Sequence, residues 1–298
     1  MRRRYPGLLG VLLLLFLLAC GGPGEPDTGE PTATIRFASF DFQENQILVE
    51  VYAEGARRHG LPVAVQHGVG PREVVAPALQ QGVVDVVVEY LGTALAFARS
   101  TGEDLPRDPE EMQAELAAAL DERDVEVLDF AQAQDQNGFV VTTAFSAAEG
   151  VGKLSELVDL APTLVFGGPP ECPDRPFCLA GLEETYGLEF GEVLSMPSRA
   201  ATVEALLAGQ IDVGLLETTD ARLAVAPIRL LIDDRGLQPP ENVLPLVRSE
   251  VLDRWGEELR EALNEVSARI TTNDLVQLNR AVEIEGLTPA EAAARWWE

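Results

Sequence analysis

Lysine is nearly missing from this sequence: Lys153 stands alone beside 21 arginines, and 22 basic residues face 49 acidic ones. A net charge of −27 excludes nucleic acid as a partner, because a phosphate backbone is held by a positive surface. The preference for arginine fits a GC-rich coding bias, and the acidity bears on solubility or a salty habitat more than on fold. Histidine is scarce as well. His59 and His67 lie far upstream of Cys172 and Cys178, and two thiolates alone complete no zinc site. There is no G-x-S-x-G elbow, no H-E-x-x-H and no Cys/His nucleophile arrangement, so hydrolytic chemistry has no visible carrier. The phosphate-cradling patterns G-x-x-x-x-G-K and G-x-G-x-x-G are missing too. Neither an enzyme nor a cofactor is expected.

What is present begins at the N-terminus. Arg2, Arg3 and Arg4 precede a leucine-rich run through Leu18, then Ala19 and Cys20. A positive start followed by an apolar stretch too short to span a bilayer comfortably is the pattern of a secretory signal. Leu17-Leu18-Ala19-Cys20 has the form of a bacterial lipoprotein cleavage site, which predicts a signal peptide over 1–19 and lipidation of Cys20. A plain signal peptide or an uncleaved anchor is the alternative. Residues 20–32 continue with glycine, proline and acidic side chains and bury nothing, as a flexible tether does. The expected location is therefore the outer face of the cell membrane, held by lipid. Export also permits a disulfide, and a free thiol pair bracketing the Pro-rich Cys172–Cys178 loop would be a liability, so a Cys172–Cys178 bond is expected.

A chain of 298 residues exceeds the usual single-domain size, and two lobes are the starting expectation. Residues 34–39 alternate as a strand does, and 44–59 carry Ile47, Leu48, Val51, Tyr52 and Ala56 at helical spacing. A strand at 63–67, a helix at 71–81 ended by Gly82 and a buried strand at 83–88 follow. This β-α-β-α-β order implies an α/β fold with helices flanking a parallel or mixed sheet. Ala78-Leu79-x-x-Gly82-x-x-Asp85-Val86 recurs as Ala205-Leu206-x-x-Gly209-x-x-Asp212-Val213, a helix end, a glycine stop and a strand in each copy. Two lobes of similar units explain the echo economically. Ligands of open α/β sheets bind beyond the carboxyl ends of strands, which puts Tyr90 and Glu217 at equivalent places facing one cleft. The expected division is 33–137 with 229–298 as lobe 1 and 138–228 as lobe 2. Helices are predicted at 249–269, 273–282 and 289–297, returning to the first lobe.

These residues together resemble the substrate-binding proteins of glycine betaine/choline-type (osmoprotectant) ABC importers over essentially the whole mature chain. The resemblance is carried by Ala38-Ser39-x-x-Phe42-x-Glu44, Gly70-x-Arg72-Glu73-Val74, Glu89-Tyr90-x-Gly92-Thr93, Phe166-Gly167-Gly168-Pro169-Pro170-Glu171, Gly181-Leu182 with Tyr186-Gly187-Leu188, and Thr218-Thr219-Asp220. It implies the two-lobed periplasmic-binding-protein fold (type II-like), a monomer, a small-molecule solute, and an ABC permease with its ATPase as partners. It also implies aromatic rings around a quaternary ammonium, a cation with no N–H to donate. By position Tyr90 matches a cage tyrosine, Thr93 a polar neighbour and Arg175 a carboxylate-pairing arginine. Ser39, Phe40, Asp41, Phe42 and Thr218 complete the expected wall.

Other positions depart. Asn137 and Glu217 stand where the family places further cage residues. The chain has four tyrosines, of which Tyr5 falls in the leader, so a four-tyrosine cage is excluded. Phe40, Phe42 or Phe139 are the candidate substitutes. A cationic or zwitterionic ligand, with N–H groups or another methylation pattern, is expected rather than glycine betaine itself. A solute sensor or adhesion module on the same scaffold is the rival role.

Overall fold

The computed structural model describes residues 34–99 and 105–298. The predicted signal peptide, Cys20 and the tether lie outside the described residues.

The first half runs β1 (Ile35–Phe40), α1 (Gln43–Arg58), β2 (Val63–Gly70), α2 (Arg72–Gln80), β3 (Val86–Tyr90), α3 (Leu91–Arg99), α4 (Pro109–Asp121) and β4 (Val125–Val127). The middle contains β5 (Asn137–Thr142), α5 (Thr143–Glu149), β6 (Val165–Gly168), α6 (Leu179–Tyr186), β7 (Glu192–Ser195), α7 (Arg199–Leu207), β8 (Val213–Glu217) and β9 (Ile228–Leu230). The chain then returns through β10 (Val243–Arg248) to α8 (Ser249–Arg269), α9 (Thr272–Glu283) and α10 (Pro289–Trp297). The 249–269 run, expected as one helix, is bent at Gly256, whose φ of 62° is outside the helical range.

Two five-stranded mixed sheets share one plan, β2-β1-β3-β10-β4 and β7-β6-β8-β5-β9. In each, three neighbouring strands run parallel and the fourth runs against them. That fourth strand is the one that has just crossed from the other lobe: β5 in the second sheet, β10 in the first. The crossings touch where Gln134 bridges Asn242, and the Val243 N–H donates to the Ala133 carbonyl at 2.9 Å. A return crossing at 229 does not fit β9, which pairs with β5, nor Leu231 and Leu237, which lie in the second core. We propose that it lies at 238–242 instead.

The helix-Gly-strand echo has a shared geometry. Gly82 and Gly209 take φ of 71° and 68°, the left-handed stop that glycine adopts without a Cβ clash. In each copy the following aspartate turns back on the neighbouring strand. Asp85 Oδ2 accepts the Arg36 N–H and Asp212 Oδ2 accepts the Val165 N–H, both at 2.9 Å. Both aspartates are thus structural joints. Burial alone would raise the Asp85 carboxyl, but hydrogen bonds and charge from Arg36, with Arg248, outweigh it and hold the group below the usual carboxylate range.

The first core centres on α1, whose Ile47, Leu48, Val51, Tyr52 and Ala56 are all buried as their spacing requires. They pack between the sheet and α8 and α10. Tyr52 satisfies its hydroxyl on Ser267 Oγ at 2.9 Å, avoiding the ~1–3 kcal/mol cost of an unpaired buried polar group. The Trp297 indole N–H donates to the Val51 carbonyl, so the terminal tryptophans serve packing.

Candidate functional site

Strand β3 ends at Tyr90 and strand β8 ends at Glu217, and both side chains line one cleft between the sheets. Its volume is about 400 Å³. From the first lobe come Phe42, Arg72, Tyr90 and Thr93; from the second come Asn137, Phe177 and Glu217. The crossing segments supply Asp135, Gln136, Gln238, Pro239 and Glu241. A second chamber of about 380 Å³ adjoins it, sharing Asn137 and Phe177 and adding Arg175 and Arg199.

Of the ten predicted contact residues, Phe42, Tyr90, Thr93, Asn137 and Glu217 lie on the cleft, and Arg175 lies on the second chamber. Four do not reach either wall. Ser39 is fully buried, donating to the Phe40 carbonyl and accepting from the Gly68 N–H, both at 2.9 Å. Phe40 is buried beneath the Arg72 guanidinium, 5.3 Å from its ring centre, and supports Phe42 from behind at 6.0 Å. Asp41 is exposed outside both chambers. Thr218 spends its hydroxyl on the crossing segment, accepting from the Gln136 N–H and donating to the Gln134 carbonyl. Phe139, a candidate substitute ring, is in the second core against Phe166.

The cleft is poor in rings and rich in carboxylates. Phe42 and Tyr90 stand 6.0 Å apart, and the exposed Phe177 faces both chambers. The Tyr90 hydroxyl donates to Glu44 Oε1 at 2.9 Å, which fixes the ring. Burial, with the charges of Glu44 and Asp135, pushes the Tyr90 phenol well above its usual value, so it stays a donor. Glu44 also accepts from Asn279 Nδ2 at 2.7 Å, and Asn279 reaches on to the Thr219 carbonyl at 2.9 Å. One buried carboxylate therefore ties α1, β3, α9 and the end of β8 together behind the cleft. Burial raises the Glu44 carboxyl as well.

Glu217 is engaged: Arg199 grips both of its oxygens at 2.6–2.9 Å. Arg72 is likewise held by Glu89 through two 2.8 Å bonds. The carboxylate with capacity to spare is Asp135, whose described partner is the Thr219 hydroxyl at 3.0 Å. Burial, then Glu44 and Glu217, raise its carboxyl well above the usual range. Glu241 faces it across the crossing, accepts from the Thr93 N–H at 3.1 Å, and is pushed up to about 7 mainly by burial. Asp135 and Glu241 thus stand on one cleft wall where burial opposes the charge of each.

Asp135, Gln136, Gln238 and Glu241 escaped the sequence reading because nothing local marks a crossing segment as a wall. Phe177 was within reach. It is the exposed ring of the cysteine-bracketed loop that also carries Arg175. Cys172 and Cys178 are disulfide-bonded, with Cα atoms 5.3 Å apart. No helix among the described residues is long and apolar enough to cross a membrane.

Comparison with known proteins agrees with this architecture. Residues 33–298 match the family model for the substrate binding domain of ABC-type glycine betaine transport system. The chain is 29% identical to a glycine-betaine-binding protein of Pseudomonas aeruginosa, over 95% of this chain and 93% of that one. It is 28% identical to the carnitine transport binding protein OpuCC of Listeria monocytogenes, over 94% and 91%. The crystal structure of a glycine betaine/carnitine/choline ABC transporter superposes with a TM-score of 0.81 at 23% identity, covering 88% of this chain and 97% of that one.

Proposed function

The chain belongs to the family of substrate-binding domains of ABC-type glycine betaine transport systems, and on that premise we propose that it is an extracytoplasmic lipoprotein that captures a small cationic or zwitterionic ammonium solute and delivers it to an importer. Members of this family bind and present a solute and do not turn it over. The leader ending at Cys20 and the tether support a lipid anchor, with the binding body held at the outer membrane face. The permease and ATPase are the partners this role requires, and one protomer suffices for it.

The observation that carries the ligand class is the joint presence of Asp135, Phe42, Tyr90 and Phe177 on one cleft. Rings attract a cation through their faces, and a carboxylate adds the stronger, longer-ranged term. Glu217 is the outer member of this acidic wall and acts through Arg199, while Asp135 meets the cation. An ammonium that keeps an N–H satisfies Asp135's open acceptor positions, which a fully methylated head leaves to Coulomb attraction alone. The two crossings act as hinges, and the solute, touching both lobes and the crossings, favours the closed form.

Isothermal titration against glycine betaine, dimethylglycine, choline, carnitine and a polyamine tests this reading. The expected result is binding of at least one cation or zwitterion, with N–H-bearing heads preferred. Tight glycine betaine binding indifferent to both Glu217→Gln and Asp135→Asn would refute it.

A further inference from the structure

We propose that Asn279, which lines neither the cleft nor the second chamber, sets the selectivity of the cleft for the ammonium head by bracing Asp135 against Tyr90. It is a positioning residue that acts through Glu44 and Thr219 and touches no solute. The inference rests on the cation-binding reading of the cleft and deepens it by naming what lets the site distinguish degrees of methylation on the nitrogen.

Packing alone does not call for an asparagine here. The other buried residues of α9 are Leu275, Val276, Leu278 and Ala281, an apolar stripe at helical spacing. An apolar side chain at 279 would continue that stripe. Asn279 is only 4% exposed, and its Oδ1 has no hydrogen-bond partner among the described residues. A buried acceptor left unpaired works against the fold, so the residue is kept for what its other end does.

That end, the Nδ2 group, gives its two hydrogens to two acceptors on different parts of the molecule. One goes to Glu44 Oε2 at 2.7 Å, in the first turn of α1. The other goes to the Thr219 carbonyl at 2.9 Å, just past the end of β8. Both ends of this chain of bonds continue into the cleft wall. Glu44 Oε1 accepts the Tyr90 hydroxyl at 2.9 Å, and the Thr219 hydroxyl donates to Asp135 Oδ1 at 3.0 Å. Tyr90 and Asp135 line the cleft, whereas Glu44, Asn279 and Thr219 are buried behind it. Asn279 is thus the middle of a brace that runs from the ring to the carboxylate. It is also where the brace passes from the first lobe to the second. There α9 packs against the 3₁₀ turn Ala221–Ala224, and Arg222 of that turn lies 3.7 Å from Glu283.

The position needs an amide. Aspartate offers no donor and adds a charge beside Glu44, and alanine leaves Glu44 and the Thr219 carbonyl without their shared donor. Asp135 then keeps its bond to Thr219, but Thr219 is no longer tied to α9. A hydrogen bond to a ligand N–H is directional and fails when its acceptor is misplaced by about an ångström, whereas ring contact and Coulomb attraction fall off gradually. A loosened Asp135 therefore weakens binding of a head that carries N–H more than binding of one that is fully methylated.

The test is calorimetric titration of dimethylglycine and glycine betaine, which differ by one methyl group on nitrogen, into the wild type, Asn279→Ala and Thr219→Val. The valine variant keeps the side-chain shape and the backbone carbonyl and cuts the brace at its Asp135 end, so it reads the same link if the alanine variant folds poorly. Each variant is expected to lose dimethylglycine affinity about tenfold, the scale of a charged hydrogen bond, with glycine betaine changed by less than about threefold. A merely structural role lowers the melting temperature and leaves the ratio of the two affinities at its wild-type value. An unchanged ratio in either folded variant, or a wild type with no preference for dimethylglycine, overturns the proposal. The reading of the cleft is decided separately, by whether any ammonium compound binds and responds to Asp135→Asn.

Discussion

Asp135→Asn is expected to lower affinity for a cationic ligand about a hundredfold, ~3 kcal/mol, the scale on which a recessed charge pair loses one partner. The same substitution is expected to stabilise the empty protein. Burial and the charges of Glu44 and Glu217 all oppose ionisation of Asp135, so a neutral side chain of the same shape removes a conflict. Its Thr219 bond survives, since the asparagine carbonyl still accepts from that hydroxyl. Binding and stability thus move in opposite directions, the signature of a group kept for its ligand and not for the fold. Titration calorimetry with denaturant melts of the same two proteins reads both. An unchanged affinity, or a stability loss, would remove Asp135 from the role given to it.

Binding should also release protons. In the empty cleft Glu44, Asp135 and Glu241 each hold a proton more tightly than an ordinary carboxyl, in every case chiefly because burial penalises the charge. A bound cation favours the ionised forms. Affinity therefore rises with pH, most steeply between the ordinary carboxylate range and about pH 7, by up to about tenfold per pH unit for each proton released. The stability of the empty protein has the opposite slope from the same groups. Glu241, raised to about 7, contributes stability that is complete below the ordinary carboxylate pKa and is lost as pH rises through about 7. That contribution is roughly 3 kcal/mol at most. Asp85 works the other way: its depressed pKa gives stability above the ordinary carboxylate range that is lost as pH falls through its folded value. Glu241→Gln should flatten both the affinity and the stability profile near neutrality. Titrations in buffers of different ionisation enthalpy count the protons released, and a count of zero contradicts the linkage.

The fold was legible in this sequence wherever a periodic pattern met a stop. The α1 stripe, the glycine after α2 and after α7, and the last helix from Pro289 all emerge where spacing puts them. The paired copies around Asp85 and Asp212 even located the two strand ends that face each other. The site was legible only in part, because its chemistry depends on neighbours that are remote along the chain. Glu217 reads as a free carboxylate until the sheet order sets the start of α7 beside the end of β8 and Arg199 closes on it. Asp135 and Glu241 become neighbours because two crossing segments pair, which no local pattern announces. Ser39 and Phe40 share a strand end with the cleft but point into the protein, where Gly68 and Arg72 receive them.

The claim on which the rest depends is that the cleft reads positive charge. It is tested most directly by titrating the tightest cationic ligand found and its neutral carbon isostere, in which the nitrogen is replaced by carbon. The account predicts that the isostere binds at least about a hundredfold more weakly, since it keeps the shape and apolar contact but loses the attraction of Asp135 and the ring faces. Equal affinity for the two would contradict it.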